Sequence, residues 1–246
     1  MKEHIDTIPV NDAFAAGDEC PFCYLHRKAE QSTIRFVAGP GASYMEPDVR
    51  GATDKHGFCP EHTKKLYDYG NALGAALILQ TYYAGILERF QAETFTPGKK
   101  SLFGKKQPPV SDYPSQITAQ ADSCFICDRI DYHMHRYYLT FFHMIKDGQF
   151  RKTVENSKGF CLKHFAQLME NAQSMLSNQQ QDWFYQTVPG LTEQNLLRVK
   201  EDLDWFIAKF DYRNAGADWK NSKDALSRTM QKLESIYPAD PPYKKD

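Results

Sequence analysis

Cys20-Pro21-Phe22-Cys23 and Gly57-Phe58-Cys59-Pro60-Glu61-His62 recur further along the chain as Cys124-Phe125-Ile126-Cys127 and Gly159-Phe160-Cys161-Leu162-Lys163-His164. The two parts are 35 residues apart the first time and 33 the second, and all six cysteines of the 246-residue chain fall in this pattern. Two thiols separated by two residues point at one centre from a tight turn, and a Cys-x-x-His pair does so from the first turn of a helix. Each half therefore offers three thiolates and one imidazole: Cys20, Cys23, Cys59 and His62, then Cys124, Cys127, Cys161 and His164. Such a set completes the tetrahedral shell of zinc with no position left for water or substrate, the mark of a structural site. Two zinc ions per chain are expected, and losing one ligand is expected to unfold its own half. An iron–sulfur cluster on the same residues is the alternative, followed by redox thiols that cycle through disulfides. Three static disulfides would not require a histidine after the third cysteine in both halves, and a reducing cytosol disfavours them. Covalent haem attachment fails because Tyr24 and Asp128, not histidines, follow the second cysteines.

The duplication extends beyond the ligands. Asp48-Val49-Arg50 precedes Cys59 much as Gln149-Phe150-Arg151 precedes Cys161, with one gap. Residues 24–36 suit a helix that begins at the first cysteine pair and breaks at Ala38-Gly39-Pro40-Gly41, and the stretch from there to His56 reads as loop. Past Pro60, Leu66, Tyr69, Leu73, Ala76, Tyr83, Leu87 and Phe90 recur at steps of three and four, with Gln80 the polar intruder, which predicts one helix of roughly thirty residues. Gly70, Gly74 and Ala75 would admit a close backbone. Residues 128–145 predict a second aromatic-rich helix, and the segment after Cys161 a third carrying Phe165, Leu168, Met169 and Met175. Val188-Pro189-Gly190 predicts a turn, with Thr192 capping a helix whose Leu196, Val199, Leu203, Phe206 and Phe210 need a cover. An amphipathic segment at 219–236, which would pack on the second half or join two copies, ends the pattern before a Pro-rich tail.

The expected fold is all-α, with two similar halves joined by a Pro/Gly/Lys linker. The divisions are a first metal-binding half at 1–95, the linker at 96–119, a second half at 120–212 and a C-terminal helix and tail at 213–246. If each cysteine pair and each Cys-x-x-His opens a helix, a metal ties two helix N-termini together. Three thiolates and Zn²⁺ sum to −1, which suits those positive helix ends. Arg27, Lys28, Lys55, Lys64, Arg129, Lys158 and Lys163 are placed to offset the remainder. Gly57 and Gly159 predict a positive φ or a close approach at the turn into the metal, with Phe58 and Phe160 packed against it.

Composition excludes other classes. Hydrophobic residues at 41% and charged residues at 25%, with 16 Phe and 14 Tyr, are those of a globular chain rather than a disordered one. A net charge of −1 gives no global attraction to nucleic acid or anionic lipid. The aromatics fall on core stripes rather than among basic residues, which argues against single-stranded nucleic acid. Residues 72–86 are too short and too interrupted to span a membrane, and the opening Met1-Lys2-Glu3-His4 has no apolar run behind it, so a cytoplasmic protein is expected. Lys99, Lys100, Lys105 and Lys106 read as a solvated linker. Asp131, His135 and His143 share a helix face where a second, open metal site could form, although a solvated face is the plainer reading. Phosphate-loop, dinucleotide and nucleophile-elbow patterns are not found.

With its duplicated Cys-x-x-Cys and Gly-Phe-Cys-x-x-His, the chain resembles a bacterial family catalogued as a domain of unknown function. The likeness covers both halves, roughly residues 15–212. An Asp-Pro-x-Phe-Arg-like step of that family is looser here, as Glu46-Pro47-Asp48-Val49-Arg50 and Asp147-Gly148-Gln149-Phe150-Arg151. The resemblance implies cytoplasmic, helical, metal-binding proteins and brings no activity. The sequence thus reads as an interaction or regulatory module with a protein partner, able to homodimerise, rather than as an enzyme.

Overall fold

The computed structural model of the chain describes residues 6–93 and 112–238. Among these there are eleven α-helices and no strand, as the periodicities require. The first is α1 (Thr7–Ala15); α2 (Pro21–Ala38) starts at the first cysteine pair and ends where Gly39 donates its backbone N–H to the Arg35 carbonyl. The stretch read as loop contains a 3-10 turn, Ser43–Met45, and a helix, α3 (Pro47–His56). Extended Glu46, Pro47 at the first helical position and Asp48 in the first turn are the start signals that reading passed over.

The single long helix expected after Pro60 is two, α4 (Pro60–Tyr69) and α5 (Ala72–Ala92). Gly70 takes the left-handed conformation at φ +90° and ends α4; Asn71 then caps α5 by accepting from the Gly74 N–H at 3.1 Å. Leu66 and Tyr69 of the stripe are buried, whereas Leu73 and Tyr83 are 67% and 70% exposed. Residues 94–111, with the four linker lysines, lie outside the described residues. The last part of the expected linker is helical, in α6 (Tyr113–Ala121).

The helix α7 (Phe125–Met144) opens at the second cysteine pair, followed by α8 (Gly148–Glu155) and α9 (Leu162–Met175). No turn forms at Pro189. Instead α10 (Asn178–Ala208) runs straight through it, capped by reciprocal Ser177 and Gln180 bonds rather than by Thr192, which is buried within the helix. An internal proline removes one backbone hydrogen bond and costs about 3 kcal/mol. Here Phe184, Val188, Thr192, Asn195 and Val199 bury one continuous face across it. The cover for the next part of that stripe is α11 (Ala225–Glu234), whose Thr229, Lys232 and Leu233 face Leu196, Val199 and Leu203 of α10.

The chain folds into two compact units that do not follow the sequential halves. One lies within Met1–Ala29 and Tyr132–Pro241, the other within Glu30–Asp131. The first centres on an aromatic cluster, in which Phe22 lies against Tyr138, Phe141 and Phe160 at 4.5, 5.6 and 6.0 Å between ring centroids. The second centres on Ile34, Val37, Leu66, Ile78, Ile126 and Ile130. The two arginines of the recurring step make the same contact. Arg50 Nε donates to the Tyr44 carbonyl at 3.0 Å and Arg151 Nε to the Ile145 carbonyl at 2.7 Å, six residues back in each case.

Gly57 and Gly159 meet both conditions read from the sequence. Their φ angles are +62° and +67°. A Cβ on Gly57 would sit 2.6 Å from the Tyr82 hydroxyl, and one on Gly159 3.2 Å from the Leu191 carbonyl oxygen. Gly190, inside α10, has open space beside it. Gly159→Ala is therefore expected to cost about 1–3 kcal/mol. By contrast, Gly190→Ala should add about 0.5–1 kcal/mol through helix propensity. Urea unfolding of both variants measures the two signs.

Candidate metal centres

The eight predicted ligands occupy equivalent places on four helices. Cys20, Cys59, Cys124 and Cys161 each immediately precede a helix, and Cys23, His62, Cys127 and His164 each stand three residues further on. These are the N-cap and N3 positions, whose side chains turn back together over the free amides of the first turn. Cys59 and Cys161 have extended backbones, at ψ 162° and 164°, and neither thiol caps its own helix. That leaves both sulfurs free to point at a common centre.

The structure brings all eight together, but not half by half. Cys20, Cys23, Cys161 and His164 form one cluster; Cys59, His62, Cys124 and Cys127 form the other. Each Cys-x-x-Cys thus meets the Cys-x-x-His of the other half, which overturns the expected pairing. The 18-residue helix α2 and the ten-residue helix α3 lie between the two motifs of the first half. Cys59 lands instead beside the start of α7, where the Phe125 N–H donates to the Gly57 carbonyl at 3.0 Å and the Ser123 hydroxyl to the His56 carbonyl at 2.5 Å. The consequence expected for a lost ligand changes accordingly: a Cys59 substitution acts on the Glu30–Asp131 unit, not on residues 1–95.

Within each cluster the ligand atoms lie within 4.8 Å of one another. In the first, His164 Nδ1 is 3.5, 3.4 and 3.0 Å from the sulfurs of Cys20, Cys23 and Cys161, and Cys23 and Cys161 are 3.5 Å apart. In the second, His62 Nδ1 is 3.2 Å from Cys59 and 3.3 Å from both Cys124 and Cys127. Zinc bonds of about 2.3 Å to sulfur and 2.0 Å to nitrogen put neighbouring corners of a tetrahedron roughly 3.5–3.8 Å apart, so either cluster fits one ion after shifts of a few tenths of an ångström.

Electrostatics show what such an ion replaces. Burial lowers the His62 pKa, but the Cys124 thiol and the Glu30 carboxylate more than reverse this and hold it up to about 10. Cys124, which burial would raise, is drawn down to about 6 by His62 and by backbone donors. His164 is likewise held up to about 9 against its burial by the charge of Cys20 and the hydrogen bond to Cys161. Hydrogen bonding with Cys161 and Cys20, together with burial, pushes Cys23 far up, and the same bonds pull Cys161 far down. In each cluster protons are held on a histidine and a thiol beside a favoured thiolate, and a divalent cation would displace those protons.

Supporting residues came from outside the motif. Glu30 on α2 is 5% exposed and accepts from His62 Nε2 at 3.0 Å, while Lys65 donates to the same oxygen at 2.6 Å. A carboxylate on Nε2 fixes the tautomer that leaves the Nδ1 lone pair for a metal. Glu19, next to Cys20, is a buried carboxylate facing Arg198, Lys232, Lys158 and Arg228. Of the cations expected to offset the sites, Arg27 pairs with Asp18 and Lys64 with Asp68, and Arg129 covers the rings of Phe36 and Phe125. Asp131, His135 and His143 are exposed and join no metal-holding group among the described residues.

Fold and site define the class: an all-helical protein with two Cys3His clusters, each built where two helices begin. The chain belongs to the Family of unknown function (DUF6062), which it matches over residues 1–240. No curated protein and no solved structure matches it.

The crossed pairing has a direct test. Cys59→Ser should leave Cys124 and Cys127 open to alkylation while Cys20 and Cys23 stay protected, as read by peptide mapping; pairing within halves gives the reverse. Glu30→Gln should weaken metal binding by the second cluster about 10–100-fold without affecting the first, measured by competition with a chromogenic chelator.

Proposed function

We propose that each cluster holds one zinc ion through three thiolates and a histidine Nδ1. On this reading the protein is a metal-stapled helical scaffold that works as an interaction or regulatory module in the cytoplasm. The observation that carries the reading is the ligand set itself: four protein donors within 4.8 Å of one another, the number that completes a structural tetrahedral zinc shell. Iron–sulfur clusters spread their ligands over different irons and so need a wider spacing. No helix among the described residues is long and apolar enough to cross a membrane.

The interaction role is supported by α5. Its Leu79, Tyr83 and Leu87 are 40%, 70% and 44% exposed, at the four-residue spacing of a face that packs against another helix. Descent of the two halves from one ancestral unit is supported by the matched Arg50 and Arg151 contacts and the matched glycine conformations.

Structural zinc supplies roughly 10–16 kcal/mol of apparent binding free energy, comparable to a domain's stability. Protein purified without oxygen should contain two zinc and no iron per chain by elemental analysis. A strong chelator should then abolish its cooperative melting. Iron with sulfide, or full helicity in metal-free protein, would overturn the reading.

A further inference from the structure

The two clusters use the same donors at the same helix positions and differ in what surrounds them. In the first, Cys20 and Cys161 are 0% exposed, Cys23 1% and His164 2%, and Phe160 beside Cys161 is fully buried. The end of α11 closes over this cluster. Ser235, left-handed at φ +63°, places its hydroxyl 3.0 Å from Cys161 Sγ. Lys232, 1% exposed, donates to the carbonyls of Glu19 and Lys158 at 2.6 and 2.7 Å, which brings a buried ammonium beside the cysteine pair. In the second cluster Cys59 and Cys127 are half-buried, and so is Phe58, the counterpart of Phe160. Here the Glu30 carboxylate stands behind His62, shared with Lys65.

A zinc-bound thiolate keeps its nucleophilicity. Hydrogen bonds and cations at sulfur withdraw electron density, burial blocks approach, and negative charge behind a ligand does the opposite. The hydroxyl at Cys161 and the deeper burial of the first cluster both favour reaction at the second. Resting on the zinc reading, we infer that the second cluster is a peroxide-reactive, metal-releasing site and the first a permanent staple. The thiolate of Cys59 or Cys127 attacks a peroxide oxygen; the S–O bond forms as the O–O bond breaks, hydroxide leaves, and a sulfenic acid results. The neighbouring thiolate attacks that sulfur, forming the disulfide and expelling a second hydroxide. Two protons convert the hydroxides to water, two thiolates have given two electrons to one hydrogen peroxide, and zinc, left with Cys124 and His62, dissociates.

The test uses the full-length, zinc-loaded chain treated with stoichiometric hydrogen peroxide, followed by native mass spectrometry and cysteine mapping. The expected first product holds one zinc, carries a disulfide between Cys59 and Cys127, retains reduced Cys20, Cys23 and Cys161, and returns to two zinc on treatment with a dithiol and zinc. Simultaneous loss of both ions, or first oxidation at Cys20, Cys23 or Cys161, overturns the inference. Protein with no zinc before peroxide is added overturns the zinc reading instead. Ser235→Ala, which removes one hydroxyl at the rim, should speed metal loss from the first cluster on the order of tenfold. An unchanged rate there would remove α11 as the source of the protection.

Discussion

Four helices of this protein begin at a cysteine of a cluster that could hold a metal ion, and that placement governs the rest of the structure. A helix start carries unsatisfied N–H groups and a partial positive charge, while a zinc ion bound by three thiolates and an imidazole carries a net charge of −1. Joining two helix starts through such an ion would answer both needs at once. The clusters bring together the starts of α2 and α9, and of α4 and α7. Each cluster takes its Cys-x-x-Cys from one half of the chain and its Cys-x-x-His from the other. Each half supplies what the other lacks.

Equal donor sets do not make equal sites. Around the first cluster, α11 contributes a hydroxyl to a sulfur and a buried ammonium to the adjoining carbonyls, and Phe22 brings its ring within 5.9 Å of His164. Around the second, a carboxylate orients the histidine and two of the cysteines are only half-buried. The difference lies outside the repeated motif, in residues with no counterpart in the other half.

What the sequence disclosed was local. N-cap and N3 spacing is a property of one turn, so the four helix starts and all eight clustered residues were legible, as were the left-handed glycines before Phe-Cys. Pairing was not legible, because the spacing of ligands within one turn says nothing of which other turn they will meet. Pro189 misled for the opposite reason: its local cost is real, but a buried face from Phe184 to Val199 exceeds it, and burial is not visible in a dipeptide. Gly70-Asn71 shows the same competition reversed, since hydrophobic periodicity ran on through a stop signal that the backbone obeyed. Glu30, Lys232 and Ser235 act across long sequence separations, and no spacing rule singles them out.

The central claim is that each ion is held by ligands from both halves. A crystal structure of the metal-loaded protein, with anomalous differences collected at the zinc absorption edge, examines it most directly. The account predicts two peaks, one bound by Cys20, Cys23, Cys161 and His164 and the other by Cys59, His62, Cys124 and Cys127. A peak bound by Cys20, Cys23, Cys59 and His62 would contradict it.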